Sequence, residues 1–75
     1  MKEDEPFRVR AYHKAILAHL YNPGLPVESA MRKLRNWIRK NEDLYDALYS
    51  GREGKNDHYF TRRQVELIVE HLGEP

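Results

Sequence analysis

The spacing of apolar side chains divides the chain into short segments of extended and helical period. Residues 1–6 are polar and expected to be disordered. Phe7-Arg8-Val9-Arg10-Ala11 then alternates apolar and charged positions, the period of two that marks a half-buried strand. From about His13 to Tyr21, the side chains of Ile16, Leu17, Leu20 and Tyr21 share one face of a helix of about two turns. Asn22-Pro23-Gly24 ends it, because proline disfavours helical geometry in the preceding residue, and Gly24 suits a sharp reversal.

The clearest helix runs from Pro26 to about Lys40. Pro26 fits the first helical position, where a missing N–H costs nothing, and Val27, Ala30, Met31, Leu34, Trp37 and Ile38 recur at spacings of three and four. Trp37 lies on that stripe and reads as a core anchor whose truncation to alanine costs about 3–5 kcal/mol. A break near Asn41 leads to a short helix with Leu44, Ala47 and Leu48 facing inward and with Glu42 and Asp43 at its positive N-terminal end. Ser50 to Asp57 is an exposed loop. Thr61 with Gln64 three residues later forms a capping-box pattern ahead of Val65, Ile68, Val69 and Leu72, and Gly73 supplies a left-handed cap. The expected architecture is one mainly all-α domain over residues 1–75, with about four short helices of helix-turn-helix character. A small two-stranded β-ribbon would pair Phe7–Ala11 with residues near His58–Phe60.

Size and charge narrow the function. A chain of 75 residues buries only about 60% of the surface its unfolded form exposes, so there is little material for a deep pocket. The absence of cysteine excludes disulfides and thiolate zinc sites. No apolar run approaches the roughly 20 residues of a membrane span, and residues 1–6 do not form a secretory signal, so a cytoplasmic setting is expected. The net charge is only +1, but its distribution is uneven. Glu28 stands against Arg32, Lys33, Arg35, Arg39 and Lys40 in the central helix, whereas Glu42, Asp43 and Asp46 follow at once and Glu66, Glu70 and Glu74 lie near the C-terminus.

Catalytic and metal chemistry find little support. Ser29 and Ser50 are the only serines and neither sits in a glycine-flanked elbow. His13, His19, His58 and His71 include no pair four residues apart. No enzyme activity, metal, cofactor or small-molecule substrate is expected. Gly51-Arg52-Glu53-Gly54 matches the two-glycine loop of KH-type RNA-binding domains, but the strands of that fold are missing. Gly54-Lys55 is a poor phosphate-binding loop, with Asn56 where Ser or Thr must bind magnesium.

The pattern that remains is nucleic-acid binding. In a helix-turn-helix unit a small residue of the first helix lets the second cross it closely, and Ala18 can serve, with Met31 and Leu34 facing it across a turn about three residues longer than usual. A recognition helix reads bases mainly from its N-terminal half, which assigns Ser29, Arg32, Lys33 and Asn36 to base edges. Arg35, Arg39 and Lys40 would hold phosphates, and Arg52, Lys55, Arg62 and Arg63 form a second basic group able to touch the backbone. Arg62 and Arg63 open a helix, where positive charge is unfavourable by a few tenths of a kcal/mol and an anionic partner would relieve the cost. The rival reading of every one of these positions is a solvated helix face or loop.

Val9-Arg10-Ala11-Tyr12, Leu17-Ala18-His19-Leu20-Tyr21-Asn22-Pro23, Leu34-Arg35-Asn36-Trp37-Ile38, Phe60-Thr61-Arg62-Arg63-Gln64-Val65 and His71-Leu72-Gly73-Glu74-Pro75 resemble a family of short gut-anaerobe, Bacteroides-type proteins classed as a domain of unknown function. That resemblance implies the domain boundaries and a bacterial cytoplasmic setting and transfers no functional residue. More distantly, the strand ending in tyrosine, the Leu-Ala helix and the Leu-x-x-Trp segment resemble excisionase-like winged helix-turn-helix proteins, from which the longer turn Asn22–Leu25 departs. The function expected is non-catalytic binding of double-stranded DNA, as in a transcriptional or mobile-element regulator. The alternative is a protein–protein interaction module, as homodimer or adaptor, and RNA binding is the third reading.

Overall fold

The computed structural model describes residues 7–54 and 57–75, so the expectation for residues 1–6 lies outside the described residues. In chain order the elements are β1 (Tyr12–His13), α1 (Lys14–Tyr21), α2 (Val27–Lys40), α3 (Glu42–Leu48), β2 (Tyr59–Phe60) and α4 (Arg62–Leu72). The domain is mainly α, with the ribbon β1–β2 antiparallel and Tyr12 opposite Phe60, His13 opposite Tyr59.

The ribbon begins later than Phe7–Ala11. Phe7 and Val9 are partly buried against the core while Arg8 and Arg10 are exposed, so the alternation in sequence reports which way side chains face. It does not report pairing, because a strand also needs a neighbouring backbone to bond to. Residues 7–11 are instead tied locally, by the Tyr12 hydroxyl donating to the Arg8 carbonyl at 2.9 Å and by the Arg10 guanidinium 4.2 Å above the Tyr12 ring.

His13 is the N-cap of α1. Its Nδ1 accepts from the Ala15 N–H at 3.2 Å, a role that Ser, Thr, Asp or Asn usually fills. The buried residues of α1 are Leu17 and Ala18; Ile16 is 55% and Leu20 40% exposed, contrary to the expected stripe. Eight residues carry too few periods to fix which face turns inward, and α1 packs its alanine side against α2. The turn that follows needs no left-handed residue, since the only positive φ among the described residues is at Gly73. Its order comes from the Asn22 N–H donating to Ala18 O at 3.0 Å and the Leu25 N–H to Asn22 O at 3.2 Å.

Pro26 is the N-cap of α2 rather than its first helical residue. Its ψ of 154° is extended, and its carbonyl receives the first helical bond, from the Ala30 N–H at 2.9 Å. Ala30, Leu34 and Ile38 are buried, in one core cluster with Leu44 and Leu48 of the short α3, which are fully buried. Trp37 is only partly buried: its ring stands edge-on to Tyr21 at 6.2 Å with the Lys33 ammonium 5.5 Å from its centroid. Val27 at the exposed end is 47% accessible. The deepest anchor of α2 is therefore Leu34.

Asn41 caps α3 by accepting from the Leu44 N–H at 3.0 Å. The capping box of α4 is present as expected: Thr61 Oγ1 accepts from the Gln64 N–H at 3.2 Å and Gln64 Oε1 from the Thr61 N–H at 3.0 Å. Gln64 also does something the pattern does not encode. Buried at 1% exposure, its Nε2 donates to Leu48 O at 3.0 Å and so locks α4 to the C-terminus of α3. Gln64→Glu keeps the capping acceptor but sets a carboxylate against that carbonyl. The variant is expected to lose about 2 kcal/mol in urea unfolding at neutral pH. Burial raises the folded-state pKa of the introduced carboxyl, so stability should recover as pH falls and the group protonates. A variant of wild-type stability at neutral pH would show that the Leu48 contact is not needed.

Gly73 ends α4 with φ +86°, a conformation favouring glycine, although its ψ of 169° is extended rather than left-handed helical. Its N–H donates to Val69 O at 2.8 Å, and its carbonyl accepts from the Tyr21 hydroxyl. Burial first, and the charge of Glu74 second, push that phenol up to about 12 and keep it a donor.

Candidate nucleic-acid interface

Each residue of a helix advances roughly 100° around its axis, so the stripe Ala30, Leu34 and Ile38 leaves an outward arc for the remaining positions of α2. Arg32, Lys33, Arg35, Asn36, Arg39 and Lys40 are all exposed on that arc, and Ser29 is partly buried at its start. Among the described residues no carboxylate forms an ion pair with Arg32, Arg35, Arg39 or Lys40. Glu28 is the single acid on the helix and lies in its first turn, while Arg39 and Lys40 lie in the last, an order that suits the helix dipole.

The two edges of this arc differ. On one, Lys33 and Lys40 flank Trp37. On the other, Arg35 and Arg39 stand one turn apart at the mouth of a cleft of about 410 Å³. Its floor is Ala18, Leu34, Ile38 and Phe60, and the tyrosines of α3, Tyr45 and Tyr49, form one wall with ring centroids 5.4 Å apart. Lys14, His13, His58 and Asp57 face the arginines from the ribbon side. The imidazoles of His13 and His58 stack at 6.2 Å, a juxtaposition that residues 45 apart in sequence do not announce and that the ribbon register creates. The Lys14 ammonium lies 5.1 Å from the Phe60 centroid. Burial lowers its pKa most, Asp57 acts to raise it and Arg35 lowers it further.

The second basic group divides. Arg52 is exposed in the loop after α3 and Arg62 is exposed in the first turn of α4. Lys55 lies outside the described residues. Arg63 is occupied within the fold: its Nε and Nη2 donate to the Glu53 carboxylate at 3.0 and 2.8 Å, and its Nη1 and Nη2 to the Ala47 and Leu48 carbonyls at 3.1 and 3.3 Å. These carbonyls end α3, where a cation is favoured. The anion that relieves Arg63 at the N-terminus of α4 is thus Glu53, which also accepts from the Thr61 hydroxyl at 3.0 Å. The Arg63 hydrogen bonds hold the Glu53 carboxyl down at about 2. The same contacts fold the Gly51–Gly54 loop back onto α4, with only two strands among the described residues.

Among the described residues no three His, Asp or Glu side chains group as metal ligands. No helix among them is long and apolar enough to cross a membrane.

The fold and its surface therefore define a small, mainly α domain with one two-faced helix, amphipathic between a packed stripe and a cationic arc. The chain belongs to the DUF4248 family, a domain of unknown function, whose model matches residues 8–75. No curated protein and no solved structure matches it.

Proposed function

We propose that the domain binds double-stranded DNA without catalysing a reaction, with α2 as the element laid against the duplex. The observation that carries this reading is the cationic arc of α2, exposed and free of ion pairs with carboxylates among the described residues. A merely solvated helix gains a few tenths of a kcal/mol from acid–base pairs one turn apart; α2 offers only Glu28–Arg32 at that spacing, and they form no ion pair. Ala18 and Ala30, both fully buried where α1 packs on α2, support a helix-turn-helix unit with the five-residue connection 22–26.

In this reading Ser29, Arg32, Lys33 and Asn36 reach base edges, and Arg35, Arg39 and Lys40 hold phosphates. Arg52 and Arg62 add backbone contacts from the loop after α3 and from the first turn of α4, and Lys55 takes the same role by its charge and place in the sequence. A role in regulating transcription or a mobile element in a bacterial cytoplasm fits the excisionase-like pattern. Arg32→Ala is expected to relax discrimination at one base position by about 1–3 kcal/mol, whereas Arg39→Ala weakens every sequence alike. Fluorescence anisotropy with a panel of duplexes separates the two. Equal losses across the panel for both variants would show that α2 is not reading bases.

An amide-shift titration with a short duplex and with single-stranded RNA tests the class of partner. Shifts centred on α2 with duplex, with smaller ones near Arg52 and Arg62, support the proposal, and shifts only with RNA sink it. A second reading, a protein interaction module, has an observation of its own: Ile16 and Leu20, one turn apart on α1, are exposed. A mass that doubles with concentration in light scattering, indifferent to nucleic acid, would favour that reading.

A further inference from the structure

Arg52 and Arg62 lie on different elements, yet each is flanked on both sides by residues that meet in one contact. Glu53 accepts from the Thr61 hydroxyl at 3.0 Å and from Arg63 at 2.8 and 3.0 Å. Gly51 closes the contact from the loop side: a Cβ at this position would lie 2.6 Å from Glu53 Oε1 and 3.3 Å from Arg63 Nη2. A side chain there would push the carboxylate off the position at which Arg63 bonds it. Arg63 is itself fixed by the Ala47 and Leu48 carbonyls, so this clamp holds the loop to α3 and α4 together. Arg52 and Arg62 are both exposed beside it.

We infer that Glu53 is a positioning residue for DNA binding: through Arg63 and Thr61 it sets the loop against α4, so that Arg52 and Arg62 meet the phosphate backbone already in place. The inference rests on the DNA reading of α2 and adds to it a residue whose own charge opposes the ligand. A carboxylate near a polyanion repels it, so by charge alone the loss of Glu53 should tighten binding. That repulsion is weak here, because the Arg63 guanidinium lies against the carboxylate and offsets its field. Preorganisation acts in the other direction. An untethered loop must be ordered as the duplex binds, and each backbone residue fixed at that moment weakens affinity about tenfold. The second effect is the larger, which reverses the sign expected from charge.

The test is the anisotropy of a labelled duplex over a salt series, with the whole chain and its variants, each checked for folding by its urea midpoint. Glu53→Ala should bind about tenfold more weakly although it removes a negative charge. Its slope of log affinity against log salt should be shallower by about one to two, as Arg52 and Arg62 lose their contacts. Gly51→Ala changes no charge and should weaken binding in the same direction. A smaller folded fraction lowers apparent affinity but leaves the slope, so the slope separates positioning from lost stability. Arg52→Ala should cost about tenfold in the wild-type chain and about twofold or less in the Glu53→Ala chain. Wild-type or tighter affinity in Glu53→Ala or Gly51→Ala, or an equal Arg52→Ala loss in both chains, would overturn the role of Glu53 and leave duplex binding by α2 in place. A wild-type chain that binds no duplex would remove the DNA reading, and this role with it.

Discussion

Raising the salt concentration from about 50 to about 200 mM is expected to weaken duplex binding roughly 500-fold. The number follows from counting phosphates. Arg35, Arg39, Lys40 and two cations outside α2, Arg52 and Arg62, would neutralise about five, and each releases close to 0.9 of a counterion, so log affinity falls against log salt with a slope of −4 to −5. The net charge of +1 does not set this slope, because only charges at the interface displace counterions. Arg63 is excluded from the count by its bonds to Glu53, Ala47 and Leu48. Arg39→Ala should make the slope shallower by about one. Anisotropy measured over a salt series reads both quantities. No binding to duplex at low salt, or a slope that α2 substitutions leave untouched, would remove DNA as the partner of this helix.

Leu34→Ala is expected to destabilise the domain by about 3–4 kcal/mol, against a total of about 4–11 kcal/mol for a domain of this size. Leu34 is 2% exposed and Leu17, Ala18, Leu44, Leu48 and Ile68 around the same core are fully buried. Truncation there takes packing away from neighbours that are themselves fully buried. Trp37→Ala should cost less despite the larger side chain, because the indole is partly exposed, edge-on to Tyr21, and its removal leaves a groove open to water. Urea midpoints for the two variants, at unchanged denaturant sensitivity, check the order. A larger loss at Trp37 would mean that the rim of α2, and not its centre, holds the helix in place.

The same pair of residues shows how far sequence reading reached. Val27, Ala30, Met31, Leu34, Trp37 and Ile38 all lie on one side of α2 as their spacing demands, because a period of 3.6 over fourteen residues leaves one solution for the inward face. Depth within that face was not legible. It depends on which neighbour stands opposite each turn: α1 and α3 both pack on α2, yet Val27 at its first turn stays about half exposed. In α1 the expected face holds only in part, since Leu17 and Tyr21 pack inward whereas Ile16 and Leu20 are apolar yet exposed. Two turns of helix admit two stripes, and packing against α2 selected the one containing Ala18.

The candidate interface divides in the same way. The cationic arc of α2 could be read directly, because residues opposite a buried stripe must point outward. Arg62 and Arg63 are neighbours of identical type and both exposed, yet only Arg63 is tied to the carbonyls that end α3. His13 and His58, and the cleft they border with Arg35 and Arg39, exist because the ribbon brings together segments far apart in the chain.

Local periodicity and capping chemistry thus suffice for the helices, for the Thr61–Gln64 cap and for the two-faced character of α2, because those depend on interactions within about four residues. The strand boundary, the rank of the core residues, the inward bond of Gln64, the sequestration of Arg63 and the cleft all required the assembled fold. Each is set by which backbone or side chain arrives from a distant part of the chain, and no spacing within a segment carries that information.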